Sequence, residues 1–415
     1  MVHAAMQALL PMQIGLAPPT ADMARWTESA LRWRMLYGYW RQDVDHELAE
    51  RLGAVKALAW KKADVSGNPF RSICQQVSTL YDDTAAWSCA AGDFAADMAA
   101  LLDGAGWQQL MQRGQRDCEG MREVFIRADM GTDGLTLRLV HPHMVVARGT
   151  ASCPDLPVVW REARVRRYGD VDLWTWDEID IEDAANPTYR VLLQDGTVRE
   201  AIPWPDAWRW GDGRPLMPVA TYHAQRTGQM WDAFEGHELV EGTINVALLW
   251  SMFAHATLRA SWPQRYAVGV DFAGASSEGP AQAARQQIVA DPATVLLLGK
   301  APDFDGQPLI GQWSSSSDPD KIAEAVGQYE ARMIAYSGLS PSDFARTSGD
   351  PRSGYALAIS SDGQRKAAKR RAPSYRRGDA YLARVVAAMT GNLPDGDVWS
   401  VRYAIENEPV APEIP

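Results

Sequence analysis

The 415-residue sequence has only four cysteines, Cys74, Cys89, Cys118 and Cys153, and none falls in a CxxC or other metal-ligand spacing. They fit reduced thiols in a cytosolic product. Positive charge is also short: 41 Lys and Arg against 52 Asp and Glu give a net charge of -11. A protein that grips DNA through its phosphates is expected to be basic, so any nucleic-acid role here involves weak contact or passage. No Lys or Arg precedes Arg25 in the apolar opening "MVHAAMQALLPMQIGLAPPT", so no secretory signal is expected. The longest charge-free apolar run, Gly242 to Leu258, contains Thr243, Asn245 and His255. It is shorter than the roughly 20 apolar residues a membrane span needs, so a buried helix and no membrane are expected.

Catalytic signatures are missing too. Gly299-Lys300 has neither the upstream Gly nor the following Ser or Thr of a phosphate loop, and GxGxxG, GxSxG and HExxH do not occur. His46-Glu47 and His237-Glu238 lack the second His, and read as helix surface. "HPH" at 141–143 offers two histidines with no third ligand suggested nearby, so a satisfied or solvated pair is expected rather than a metal site. No cofactor is implied.

What remains is an ordinary globular balance, 46% hydrophobic and 22% charged, with seventeen tryptophans that fit either cores or interfaces. The length suggests two or three domains or one elaborate subunit. Residues 21–128 read as mostly helical. Trp26, Trp33, Tyr37 and Trp40 recur at helical spacing, and Asn68-Pro69 opens another helix as cap and first turn. From about 122 to 226 the period becomes two, and Asp195-Gly196 marks a hairpin with positive φ at both central residues. Residues 231–261 read as one long, mostly buried helix.

A strand–helix–strand insert follows at about 263–313: "QRYAVGVDF", a helix over "GPAQAARQQIVA", then "ATVLLLG" and "PLIGQW". A second long helix starts near Pro319 after Ser317 or Asp318. Ile322, Val326, Tyr329, Met333 and Tyr336 mark one face, Gly338 ends it left-handed, and Pro341 prevents continuation. A further helix from about 354 is interrupted near Pro373, and the tail after Pro394 is extended. The fold class is α+β.

Two charge runs are candidate sites. Asp170 to Asp183 holds seven acids and no base: Asp170, Asp172, Asp177, Glu178, Asp180, Glu182 and Asp183. A solvated edge strand whose charge discourages pairing is the favoured reading. A metal-dependent nuclease using this strand, 170–183, is the enzyme alternative. Arg365 to Arg377 holds seven bases, among them Arg365, Lys366, Lys369, Arg370 and Arg371. It is a DNA-patch candidate, a solvated helix face, or a partner for the acidic stretch of a neighbouring subunit.

One stretch remains, "GLSPSDFARTSGDPRSGYALAIS" at 338–360: a helix end at Gly338-Leu339, a polar loop, and Ser353-Gly354-Tyr355-Ala356-Leu357 opening a helix. This phrase, with looser matches at "NPFRSICQQVSTLY" and "GRPLMPVATYHA" and the order of parts from about 25 to 390, resembles the portal protein of tailed bacteriophages. The resemblance implies an N-terminal arm at 1–24 and a wing at 25–230, helical over 25–121 and β-rich over 122–230. It implies a first stem helix at 231–261, a clip at 262–317 and a second stem helix at 318–339. A tunnel loop at 340–353, wing helices at 354–391 and a tail at 392–415 follow, with the crown short or absent.

The same resemblance implies a non-enzymatic ring, typically of twelve subunits, around a channel for double-stranded DNA. Ser342, Asp343, Arg346, Ser348, Asp350 and Arg352 would line the channel, where a mixed lining lets DNA slide, and Gly349 and Gly354 would let the loop shift. It implies as partners the terminase large subunit, which would carry the ATPase, the head–tail adaptor, and the major capsid protein with its scaffold. The location would be the virion's portal vertex, after synthesis in host cytoplasm. Another ring-forming connector or scaffold protein stays open as a further alternative.

Overall fold

The computed structural model describes residues 20–52, 63–261, 264–268, 270–272, 298–300, 309–313, 319–339 and 362–406. Helices and sheets are mixed throughout, as α+β requires. The chain divides into two compact units: residues 1–43, 68–243 and 331–415 form the first, and residues 44–67 and 244–330 the second.

Helix α1 (Met23–Tyr37) buries Trp26 and Trp33. It stops at Gly38, whose φ of 82° makes the left-handed cap that a residue with a Cβ adopts only at a cost. The helical spacing continues to Trp40, but the backbone does not: Trp40 is buried beyond the break, and α2 (Arg41–Leu52) starts afresh. Helix α3 (Pro69–Val77) begins as its sequence predicts. Asn68 accepts a hydrogen bond from the Arg71 amide at 2.9 Å, and Pro69 occupies the first turn. The short strand β1 (Ala86–Cys89), α4 (Ala95–Gly104) and α5 (Trp107–Met121) follow.

Two antiparallel sheets occupy the middle of the first unit. In the smaller, β2 (Glu123–Gly131) lies between β3 (Gly134–Val140) and β9 (Val219–His223). The larger runs β4 (Val145–Gly149), β5 (Pro157–Tyr168), β6 (Val171–Asp180), β7 (Thr188–Leu192) and β8 (Val198–Ile202) in that spatial order. The acidic strand β6 is therefore central, with β5 on one side and β7 on the other. The edge-strand expectation is corrected: acids in its buried half meet arginines on neighbouring strands, so burial does not leave them uncompensated.

The β7–β8 hairpin forms at Asp195-Gly196 but not through two positive φ values. The Gly196 amide donates to Leu193 O, Leu193 N donates to Thr197 O, and Gly196 alone takes φ 82°. That is a three-residue loop ending in a left-handed glycine. One face of the larger sheet carries Ala163, Trp176 and Leu192, on which Trp26 packs. Trp26 also donates its indole N–H to Val145 O at 2.9 Å.

Helix α6 runs from His237 to Ser261, starting six residues later than its apolar pattern suggests. Beyond it the strands nest. β10 (Gln264–Val268) pairs with β13 (Leu309–Trp313), and inside that pair β11 (Val270–Phe272) pairs with β12 (Leu298–Lys300). The expected helix at 279–290 lies outside the described residues. Helix α7 (Pro319–Tyr336) follows, with Pro319 first and Gly338 left-handed at φ 78°.

Of the face read from spacing on α7, Val326 and Met333 are buried, but Tyr336 is 88% exposed. Within the second unit α6 and α7 touch: Asn245 donates to the Tyr329 hydroxyl at 3.3 Å, and Trp250 Nε1 to Glu330 at 3.0 Å. Residues 44–67 join them there through Arg51, which donates to Asn245 at 2.7 Å, and Asp64 N, which donates to Ser251 Oγ at 2.7 Å.

Helix α8 (Asp362–Thr390) passes through Pro373 without interruption. Strand β14 (Trp399–Arg402) pairs with β1, a partnership across some three hundred residues. No helix among the described residues is long and apolar enough to cross a membrane.

Candidate functional site

The residues of 340–353 expected to line a channel, Ser342, Asp343, Arg346, Ser348, Asp350 and Arg352, lie outside the described residues. The basic run is described, and α8 divides it. Arg371 turns inward and donates to Glu119 at 2.7 Å, and Arg376 donates to Val401 O at 3.0 Å. Arg365 is half-buried, whereas Lys366, Lys369 and Arg370 are exposed. Arg377 is exposed as well, 3.6 Å from Asp155. The run is thus neither wholly surface nor wholly structural: its inward members fasten the helix, and its outward members lie along one side of it, with Arg377 beside Asp155.

The inward face of α8 carries a group that sequence reading missed. Asp379 is fully buried and accepts hydrogen bonds from three phenols: Tyr81 at 2.9 Å, Tyr222 at 2.9 Å and Tyr403 at 2.7 Å. Burial pushes its carboxyl from 3.8 up to about 7, and the three donors pull against that rise. Gly378 makes the arrangement possible, since a Cβ there would lie 2.6 Å from the Tyr222 ring. A lone Asp in a helix with its tyrosines scattered over the chain leaves no sequence signal.

The acidic strand is resolved into pairs. Asp177 and Glu178 are buried on opposite faces of β6. Asp177 meets Arg166 at 2.9 Å, Arg164 at 3.1 Å and Arg127 at 3.5 Å. Glu178 pairs with Arg161 and Arg190 on the flanking strands. Glu162, beside Asp177 in register, binds Arg138 and Arg127 from the smaller sheet. Charged groups of both signs therefore join the two sheets, where two-metal hydrolysis needs several carboxylates converging on cations. Asp170 and Asp172 are exposed at one end of β6, and Glu182 and Asp183 beyond the other. Among the described residues no three His, Cys, Asp or Glu side chains come together in metal-binding geometry.

His141 and His143 stack with ring centroids 5.7 Å apart. His141 Nε2 lies 3.0 Å from Asp117, which also accepts from the Tyr37 hydroxyl at 2.6 Å. Burial would raise the Asp117 carboxyl, but His141, then Arg116 and Tyr37, hold it below its ordinary value. Burial, and then His141, push the His143 imidazole well below its ordinary value, so it is neutral. His141 is satisfied by Asp117, whereas the buried Nδ1 of His143 has no hydrogen-bond partner, so the expectation of a satisfied or solvated pair holds for His141 alone.

The approach to α6 is fastened equally closely. Arg25 stacks 3.5 Å over Trp231, the Asp232 amide donates to buried Glu123 at 3.2 Å, and Arg122 donates to Glu235 at 2.6 Å. His237 Nδ1 lies 3.0 Å from Glu28.

No protein-family model and no curated protein matches this chain. Among solved structures it is similar to a chain in the virion of a native gene transfer agent particle, at 14% identity and a TM-score of 0.43, over 84% of each chain. It is also similar to a chain in the neck of an empty particle of that kind, computed with C6 symmetry. There the identity is 15% and the TM-score 0.43, over 85% of this chain and 84% of the other.

Proposed function

We propose that the chain is a portal subunit: a non-enzymatic protein whose copies close into a ring, typically of twelve, around a channel for double-stranded DNA at one capsid vertex. The observation that carries this reading is the excursion between α6 and α7. Two helices of 25 and 18 residues bracket two nested antiparallel strand pairs, so the chain leaves along one helix, turns in a small β module and returns along the other. That is the stem–clip–stem order implied by the sequence resemblance. The polar stretch 340–353 follows the returning helix directly, at the position of a tunnel loop.

Two further features agree. The net charge of -11 suits conveying a polyanion rather than holding it. The apolar stretch of α6, with Val240, Ile244, Val246 and Leu248 buried, belongs to a packed helix. In this reading the clip docks the terminase motor and later the head–tail adaptor, and the ring sits in the capsid shell.

The test is deletion of Asp343 to Arg352. Negative-stain images of the purified variant should show rings with a central hole, while particles built with it should contain no packaged DNA. Heads that fill normally would refute the loop's role, and a purified protein without any ring would refute the reading as a whole.

A further inference from the structure

Between β9 and α6 the chain runs through a strap, Gly228 to Gly236, whose two ends are free to turn. Gly228 and Gly236 take φ of 84° and 69°, left-handed values, and nothing lies within 4 Å of where a Cβ would stand on either. Between them Met230 and Ala233 are buried, while Gln229, Phe234 and Glu235 are exposed. Three ties hold the strap down: Arg25 over Trp231, the Asp232 amide on Glu123, and Arg122 on Glu235. Arg122 has φ 75° and ψ -33°, the one positive φ outside glycine among the described residues, so that tie starts from a strained backbone.

Beneath the strap lie two buried titratable groups with incomplete partners. Glu123 on β2 and His223 on β9 stand directly opposite in register, so their side chains share one face of the smaller sheet. Phe125, two residues further along β2, meets Trp231 with ring centroids 5.5 Å apart, so this is the face the strap covers. Glu123 is fully buried, and the Asp232 amide donates to its Oε2, while Oε1 has no hydrogen-bond partner. Both ring nitrogens of buried His223 lack one as well. Asp232 lies 3.9 Å from the His223 Nδ1, beyond hydrogen-bond reach. A charge on either group would be held in this face without a hydrogen-bonded counter-charge.

The charges that face the two groups do not reverse this. Burial raises the Glu123 carboxyl from 4.5 to about 8, with Asp232 adding to the rise and the Asp232 amide, Arg25 and Arg32 pulling against it. Burial lowers the His223 imidazole, with Arg226 and Arg377 adding to the fall and Asp232 and Asp155 opposing it. We infer that the strap is a proton-set latch: it lies closed over Glu123 and His223 while the first is protonated and the second neutral, and a charge on either opens it. Opening takes Asp232 and Glu235 off their ties and loosens the start of α6. The latch belongs to the single chain and does not depend on the ring.

With the strap open, both groups meet water and return to their ordinary values. Glu123 binds its proton more tightly closed than open, so its support for closure is full below about pH 4.5 and is lost as pH rises through about 8. His223 binds its proton less tightly closed than open, so its support is full above about pH 6.5 and is lost as pH falls. The two slopes offset each other between about pH 4.5 and 6.5, where the latch is tightest.

Hydrogen exchange of the full chain, followed by mass spectrometry and corrected for intrinsic rates, reads the latch in peptides covering 229–236. In wild type their protection should fall about tenfold between pH 6.5 and pH 8, while peptides from α5 should not follow. E123Q keeps an oxygen for the Asp232 amide and cannot ionise, so its profile should be flat above pH 6.5 and fall only on the acid side. E235Q removes the surface tie to Arg122 and should lower protection by one factor throughout, with the wild-type slope kept. Wild-type protection that does not change with pH would overturn the latch. An E123Q profile that follows wild type would overturn it too, as would a loss shared equally by α5, which is general unfolding. Were E123Q unable to fold, wild type and E235Q would still decide: parallel, local losses support the latch, and flat profiles refute it.

Discussion

Asp379 makes a quantitative prediction about stability and pH. Its carboxyl is raised by burial from 3.8 to about 7 in the folded chain. A raised carboxyl binds its proton more tightly folded than unfolded, so its contribution is full below about pH 4 and is lost as pH rises through about 7. Between pH 5 and pH 8 the loss is about 3 kcal/mol, from roughly 1.4 kcal/mol per pKa unit. Glu123, fully buried and raised to about 8 by burial, acts in the same direction, so the wild-type profile alone does not isolate Asp379.

The difference between wild type and Asp379→Asn does isolate it. Asn resembles the protonated acid, keeps an oxygen for the phenols and cannot ionise. The variant should therefore lose about 3 kcal/mol less than wild type between the two pH values. Urea midpoints followed by tryptophan fluorescence, at one fixed protein concentration, measure this. Parallel pH profiles for the two proteins would refute the assignment of a raised, buried carboxyl.

Two further substitutions probe the first unit. Gly378→Ala places a methyl against the Tyr222 ring and should lower stability by about 1–3 kcal/mol, read as a shifted urea midpoint with unchanged slope. Asp177→Ala takes the shared buried partner from half-exposed Arg164 and Arg166 and one of three partners from Arg127, and should cost about 1.5–3 kcal/mol. It should not do so through lost hydrolysis: DNA incubated with magnesium and wild-type protein should stay intact, and degradation would revive the nuclease alternative.

Local signals carried much of the architecture. Asn68-Pro69 and Gly38 fix helix ends because caps are decided within a few residues, and the hairpin at Asp195-Gly196 is likewise a local event. Non-local features did not show. The β1–β14 pair joins Ala86–Cys89 to Trp399–Arg402, and nothing in "AWSC" or "WSVR" names the other. Reading β6 as an edge strand failed for the same reason: its acids looked solvated because their arginines sit on β2, β5 and β7. Pro373 suggested a break, yet α8 continues through it, held by Arg371, Ser374 and Tyr375 to Glu119 and His223 O. The charge of the basic run was legible, but its division into fastening and exposed members depends on which face of α8 meets the first unit.

The most direct measurement is the mass of the purified assembly by mass photometry, with images of the same sample. A portal built from a 45.7 kDa chain should appear as one species near twelve copies, about 550 kDa, with a central hole wide enough for the roughly 20 Å of a duplex. A chain that remains monomeric at high concentration, or that forms compact particles without an open axis, would contradict the account.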